Sequence, residues 1–365
     1  RATFDASMTL SLTLPGDVVL YLLLPIYAES FGVSLPEVGI LLAANRLVRI
    51  LGYGWVARLY GNRGPRLACT LASVGSVLAT AGYFLFSGLW ALLAARLVWG
   101  LSFAAMNIAV HALPTSEIAG AARRSGWSRS IVACGSMLAL AAGGVGAHFF
   151  GPRIVFAVLA TVALVSLPFA LRLPKTPERH VAGRPKLTVP GPISIWSFCM
   201  GISLDGLFTV GLALLAREQL PEGAAIAAGL VMATRYLFEM TLAPVGGRLA
   251  ERVGARRLLV IVSLIASAAF VLLALDSPLI WIGALFVIAM RALLQPLPAP
   301  VVAEAFPGAA RVAALARQAT WRDIGAGAGP LVAGLLFPVL PALAIYGSVA
   351  ALLAGSSIWL AKRRN

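Results

Sequence analysis

The sequence predicts an all-α membrane protein of twelve transmembrane helices arranged as two six-helix bundles. Three observations carry that expectation. Of 365 residues, 60% are hydrophobic and only 12% are charged, about half the charged share of a soluble domain. The apolar runs reach the roughly 20 residues that a helix needs to cross a hydrocarbon core. Runs such as Leu258 to Leu275 are apolar on every side, so the period-two alternation of a barrel strand is missing. The third is a long polar stretch, 173–191, basic and rich in proline, which separates six apolar segments from six more.

The elements follow in order from the polar, glycine and proline breaks. Span 1 covers about 6–27 and carries Pro15, Gly16 and Asp17 near its middle, where a proline lets a helix bend. Span 2 (36–58) holds Arg46 and Arg49, span 3 covers 67–87, and span 4 (89–113) holds Arg96 in its outer half. Spans 5 and 6 cover 128–150 and 152–172. Beyond the linker, spans 7 to 12 fall at 192–215, 223–247, 257–275, 278–300, 312–337 and 341–361. The expected organisation is therefore an N-terminal bundle, 1–172, a linker, 173–191, and a C-terminal bundle, 192–365.

A net charge of +15 suggests nucleic acid only until its placement is considered. The basic residues come in short bursts between apolar runs, not along one polar face, so no nucleic-acid partner is expected. Of the 29 Lys and Arg, 21 fall on one side of the span map: Arg1; Arg58, Arg63, Arg66; Arg123, Arg124, Arg129; Arg172, Lys175, Arg179, Arg184, Lys186; Arg248, Arg252, Arg256, Arg257; Arg311, Arg317; Lys362, Arg363 and Arg364. Only Arg153 and Arg217 fall on the other. This positive-inside bias places both termini and the linker in the cytoplasm, with the chain in the inner membrane.

Cys69, Cys134 and Cys199 lie far apart in apolar stretches and read as packing, with neither a disulfide framework nor a metal cluster. His111 and His148 read as packed or interfacial, and His180 lies in the linker. The chain opens without a cleavable signal, and because Arg1 is not an initiator, residues before it are expected. Neither a phosphate-binding loop nor a zinc-spaced motif occurs, so no cofactor, metal or enzymatic activity is expected.

The two halves repeat one another. Arg58-Leu-Tyr-Gly-Asn-Arg-Gly-Pro-Arg66 after span 2 recurs at the same offset as Arg248-Leu-Ala-Glu-Arg-Val-Gly-Ala-Arg256 after span 8, and Gly16 matches Gly206. Parallel repeats of this kind are a transporter design in which two halves rock about a central site.

On these residues the sequence resembles the major facilitator superfamily. Gly247-Arg-Leu-Ala-Glu251-Arg252-Val-Gly254-Ala-Arg256-Arg257 is similar to the family's loop signature G-x-L-A-D-R-x-G-R-R, with Glu251 in the acidic position. In the first half Gly64 and Arg66 keep the pattern while Gly61 replaces the acid. Arg96-Leu-Val-Trp-Gly100 resembles the R-x-x-x-G motif. Leu24-Pro25-Ile-Tyr27 and Phe31-Gly-Val-Ser34 are similar to drug and metabolite proton antiporters. The antiporter signature of span 5 is absent, Gly143-Gly144-Val-Gly146 standing there without proline, and its look-alike Gly325 to Gly334 is in span 11. The resemblance implies a conformational latch at Gly64, Arg66, Glu251, Arg252, Gly254 and Arg256, and assistance to proton transfer by Arg96.

Charges inside helices cost roughly 2.5 to 3.5 kcal/mol each on insertion scales, so they face the bundle interior, pair, or line a water path. Asp17, Arg46, Arg49, Arg96, Asp205, Arg235, Glu239, Arg291, Arg322 and Asp323 are of this kind. Bases exceed acids, which suits an anionic solute. Asp17 is expected to exchange a proton, its charge set by whether Arg46 or Arg49 stands near, and Asp205 to serve the second half likewise. Arg46, Arg49, Arg235, Glu239, Arg291 and Asp323 are the expected substrate contacts, because a guanidinium grips an anion through a fixed fork of donors. Arg235 and Glu239, four apart, are also placed to pair with each other, and Trp321, Arg322 and Asp323 to pair locally.

The function expected is a monomeric secondary transporter in the bilayer, moving a small organic anion by alternating access with proton coupling, export being favoured. An importer or facilitator of an organic anion or metal chelate is the alternative. A lipid-handling enzyme lacks its nucleophile or metal site, and a channel its repeated ring of one residue type.

Overall fold

The structure is a computed structural model that describes residues 1–176, 190–211, 224–273, 279–337 and 339–363, with backbone only over 224–231 and at 279. Most of the linker, with Arg179, His180, Arg184 and Lys186, lies outside the described residues, as do Arg217 and Arg364.

Every regular element described is helical. Span 1 is Ala2–Thr13 followed by Pro15–Ile26. The ladder is interrupted because Pro15 has no N–H to donate, while Leu14 between them keeps α-helical dihedrals. Spans 2 and 3 form one helix, Leu35–Leu85, opened by a capping box in which Ser34 and Glu37 bond reciprocally. Two helices with a loop at 59–66 were expected. The segment stays helical because nothing breaks it except Gly64, whose φ of 83° and ψ of 163° turn the chain before Pro65 restarts the helix. Gly254 takes a φ of 95° at the repeat position before Ala255–Leu272. The sequence repeat is thus a repeat of backbone geometry.

Span 4 is Leu89–Ala112, span 5 Ala121–Phe150, and span 6 Pro152–Leu164 with Ser166–Arg172. Span 5 starts seven residues before its expected position, which takes Arg123 and Arg124 out of a loop and into the helix and sets Arg129 two turns from its start. Span 7 is Pro192–Met200 continued by a π-helix, Gly201–Leu207. Spans 8 and 9 are Ala224–Val253 and Ala255–Leu272, span 10 is Leu279–Leu294 with Pro298–Ala305, and spans 11 and 12 are Ala310–Leu336 and Ala342–Lys362. Among the described residues nine helices are long and apolar enough to cross a membrane. One of the nine is the merged pair Leu35–Leu85, and Ala224–Val253 and Ala310–Leu336 stand outside the nine while carrying mid-helix charges. Twelve spans result.

Two compact units form, following the sequence halves with one exchange. Unit 1 is Arg1–Pro114, Ile131–Pro185 and Gly308–Ala316, and unit 2 is Thr115–Ser130, Lys186–Pro307 and Arg317–Asn365. In unit 1, Phe31 and Tyr83 meet Phe156 edge-on at 5.8 and 5.5 Å within a core that includes Val19, Leu23, Val38 and Leu92. In unit 2, spans 7 and 11 touch backbone to backbone. A Cβ on Gly206 would stand 2.6 Å from Gly329 Cα, and one on Gly325 2.9 Å from Ile202 N. The glycines of span 11 therefore serve close packing, as their crowding in the sequence suggests.

The start of span 5 lies against span 8 inside unit 2. A Cβ on Gly126 would meet Ala243 O at 2.6 Å and Pro244 Cα at 3.0 Å, and Ser130 Oγ donates to Met240 O at 2.6 Å. Because the obstacles are backbone atoms, Gly126→Ala is expected to destabilise the purified protein by about 1 to 3 kcal/mol. Gly144→Ala, in the same helix with open space around it, is expected to leave stability unchanged or raise it by up to about 1 kcal/mol. Thermal unfolding in detergent checks both, and equal shifts in the two variants would refute the close approach.

Candidate functional site

Each unit holds one buried cluster of charge. In unit 1, Asp17, two residues beyond Pro15, pairs with Arg96 of span 4 through Nη1, and Asn45 of span 2 donates to the same carboxylate at 3.1 Å. Asp17 is 6% exposed, and Arg96 and Asn45 are not exposed at all. Arg96 Nε donates to Leu41 O at 3.0 Å, and its guanidinium stands 5.2 Å from the Tyr21 ring centre. The expectation that Arg46 or Arg49 sets the charge of Asp17 is corrected here: the partner is Arg96. Arg49 is buried with its guanidinium 4.5 Å over the Phe103 ring, a cation–π contact, and Arg46 is half-buried one turn before.

In unit 2 the corresponding acid, Asp205, lies within the π-helical turn of span 7. Arg291 of span 10 sends Nε and Nη2 to its Oδ1 at 2.9 and 2.8 Å. Arg235 of span 8 reaches Oδ1 at 3.2 Å, and Arg322 of span 11 reaches Oδ2 through Nη2 at 2.8 Å. Glu239, on span 8, accepts from Arg291 Nη1 at 3.1 Å and pairs with Arg129 Nε at 3.6 Å. Gln295 closes the network, its Oε1 accepting from Arg129 at 2.6 Å and Arg322 at 3.2 Å.

Two sequence expectations fail at this cluster. Arg235 and Glu239 do not pair with each other although they are four apart, since Asp205 and Arg291 offer each a closer partner across the bundle. Arg322 does not pair locally with Asp323; it turns to Asp205, and Asp323 takes no part in the ion pairs above. Arg129, grouped with the cytoplasmic arginines by its polar neighbours, is instead 9% exposed within the cluster. The sequence signal that bore on it was that position 129 falls at the edge of the span drawn over 128–150, and the helix from Ala121 sets it two turns inside.

The two clusters share one plan. The acid comes from span 1 or 7, the base that grips it from span 4 or 10, and a further donor from span 2 or 8 at matched repeat positions, Asn45 and Arg235. They differ in charge: the Asp17–Arg96 pair is neutral, whereas unit 2 joins four guanidiniums to two carboxylates. A network this basic repels metal ions, and among the described residues no three His, Cys, Asp or Glu side chains are grouped to hold one. Buried ion pairs contribute little net stability compared with apolar packing.

Glu251 Oε1 accepts from the N–H groups of Ala122 and Arg123 at 3.1 and 3.2 Å, capping the N-terminus of span 5. Arg66 Nε donates to Leu173 O at 2.7 Å, at the end of span 6, and Arg256 Nη2 to Leu360 O at 2.5 Å, near the end of span 12. Each arginine thus ties down a helix C-terminus, where carbonyls lack partners. Gly64 and Gly254 supply the turns that aim them, and Arg252 is exposed with no part in these contacts.

A polytopic helical protein with a charged cluster buried in each of two repeated units is the class these observations define. The chain belongs to the major facilitator superfamily, whose sequence profile matches residues 6–220 and again 194–365. It is similar to two proteins from strains of Mycobacterium tuberculosis described as uncharacterized MFS-type transporters, each 29% identical over 160 residues. That stretch covers 42% of this chain and 38% of each relative, so the match spans well under half of their length. The fold is that of the human organic anion transporter MFSD10 (TM-score 0.81, 17% identity, 99% of both chains). It is also that of the Escherichia coli fucose:proton symporter FucP (TM-score 0.77, 12% identity, all of both chains).

Proposed function

We propose that this protein is a secondary transporter that moves a small organic anion by alternating access and couples that movement to protons. The observation that carries the reading is the buried surplus of guanidinium in unit 2, which has four arginines to two acids. A guanidinium presents planar, fixed donors that suit carboxylate or phosphate, and its charge persists at any physiological pH. Arg235, Arg291 and Glu239 are the substrate-contacting groups in that unit, with Arg46, Arg49 and Asp323 completing the set.

The proton site in this reading is Asp17. Its one-to-one pair with Arg96 means that protonating the carboxylate releases a single base, a switch with two discrete states. Asp205 is held by three guanidiniums at once, so in this reading it orients the anion site, and the proton role falls to Asp17. Similarity to an organic anion transporter and to a proton symporter accords with both halves of the proposal, although those activities belong to the similar proteins.

The remaining features are proposed with it: two bundles, 1–172 and 192–365, joined by 173–191; a monomer in the inner membrane with both termini cytoplasmic; and export as the working direction. Glu251 acts as the latch of the cytoplasmic side. Glu251→Gln keeps the hydrogen-bond acceptor and loses the charge that favours the helix N-terminus, worth about 0.3 to 1 kcal/mol at an exposed site. In a chain lacking Cys69, Cys134 and Cys199, alkylation of Ser125→Cys, at a buried position of span 5, is expected to quicken up to about fivefold with Glu251→Gln. An unchanged rate would remove the latch.

Flux into sealed vesicles tests the whole reading. Saturable accumulation of an organic anion against its gradient, abolished when the pH gradient is collapsed, is the expected result. Unsaturable current, or uptake indifferent to pH, would overturn it.

A further inference from the structure

We propose that the cargo held in unit 2 is a compact dianion, a molecule carrying two negative charges on one head group, such as a phosphate monoester or a short dicarboxylate. This rests on the anion-transport reading and narrows it to a substrate class. The four guanidiniums and two carboxylates joined through Asp205 and Glu239 leave a formal charge of +2.

Exposure divides those charges. The side chains of Arg129 and Arg291 are 11% and 4% exposed, and those of Asp205 and Glu239 8% and 6%, so the closed part of the network is balanced at two bases and two acids. Arg235 and Arg322 are 22% and 20% exposed. The two surplus charges therefore fall on the two most exposed guanidiniums of the network.

Both lean on one carboxylate, Arg235 at 3.2 Å from Oδ1 and Arg322 at 2.8 Å from Oδ2 of Asp205, so they stand side by side. Asp205 cannot neutralise them further. Arg291 already puts two donors on it, Arg322 one and Arg235 one, which fills the roughly four lone-pair sites of a carboxylate. Three buried donors of the network have no hydrogen-bond partner, Arg235 Nε, Gln295 Nε2 and Arg129 Nε, the last standing 3.6 Å from Glu239. The amide of Gln295 is oriented by its Oε1, which accepts from Arg129 and Arg322, so what it offers a ligand is N–H. A monoanion would leave one charge uncompensated away from water, which is costly, whereas a dianion brings the network to neutrality. Arg235 and Arg322 each present a fork to it, which two carboxylates or the oxygens of one phosphate can accept.

The test is thermal stabilisation of the purified full chain by propionate, malonate and glycerol phosphate, with glycerol as the uncharged control. Malonate or glycerol phosphate is expected to bind at least tenfold more tightly than propionate, and the better of the two identifies the dianion type. Glycerol phosphate should weaken as pH falls through about 6, where its second charge is lost, and propionate should not. Arg235→Gln and, separately, Arg322→Gln should each erase most of the preference for dianions, weakening malonate and glycerol phosphate several-fold more than propionate. Equal binding of mono- and dianions, with both variants weakening all anions alike, would overturn the dianion assignment and leave anion transport standing. Failure of every anion to stabilise the protein at millimolar concentration would overturn both.

Discussion

Replacing Arg96 with methionine is expected to lower the stability of the protein by about 3 to 5 kcal/mol, the usual cost of stripping one partner from a buried ion pair. Arg96 is fully buried and supplies the only charge paired with Asp17 among the described residues, so the carboxylate would be left with Asn45 alone. Adding Asp17→Asn removes the stranded charge, and the double variant should recover most of the loss, because replacing both members of such a pair is often close to neutral. Unfolding midpoints of the wild type, both single variants and the double variant form a cycle that isolates the pair. If the double variant is as unstable as Arg96→Met, the pair has no coupling and the cost lies in lost packing around the guanidinium.

Asp17→Asn by itself should have the largest effect on function. With the titrating group gone, accumulation driven by a pH gradient should fall to simple equilibration, while exchange of labelled for unlabelled solute continues, since the anion contacts of unit 2 are untouched. Reconstituted vesicles loaded with the anion that best stabilises the protein report both rates on one preparation. Gradient-driven accumulation persisting in this variant would place the proton site elsewhere, and loss of exchange together with accumulation would make Asp17 a structural group.

Much of this molecule was legible along the chain. The spans could be drawn because the free energy of moving a residue into hydrocarbon is local and adds up over a window, so long apolar runs declare themselves without knowledge of the fold. The repeat was visible for a similar reason: Gly64 and Gly254 must each turn the backbone with positive φ, a demand that restricts the residue at that place. Boundaries were less legible where polar residues sit inside a helix. Ala121 to Arg129 has the composition of a loop, yet it is helical because its polar groups find partners on span 8 and in the charge cluster.

Most of the residues that carry buried charge were therefore legible in the sequence, Arg129 excepted, and so was the excess of bases over acids. Which charge meets which was decided only by the tertiary structure. Spacing on a single helix favoured Arg235 with Glu239 and Arg322 with Asp323, but such local pairs gain only a few tenths of a kcal/mol. In a medium with little water to solvate a charge, partner choice is set by whichever side chain packing brings within about 3 Å, and three spans converge on Asp205 to do so. The same convergence joined Arg96 to Asp17 across 79 residues of chain, and left a neutral pair in one unit and a net positive cluster in the other.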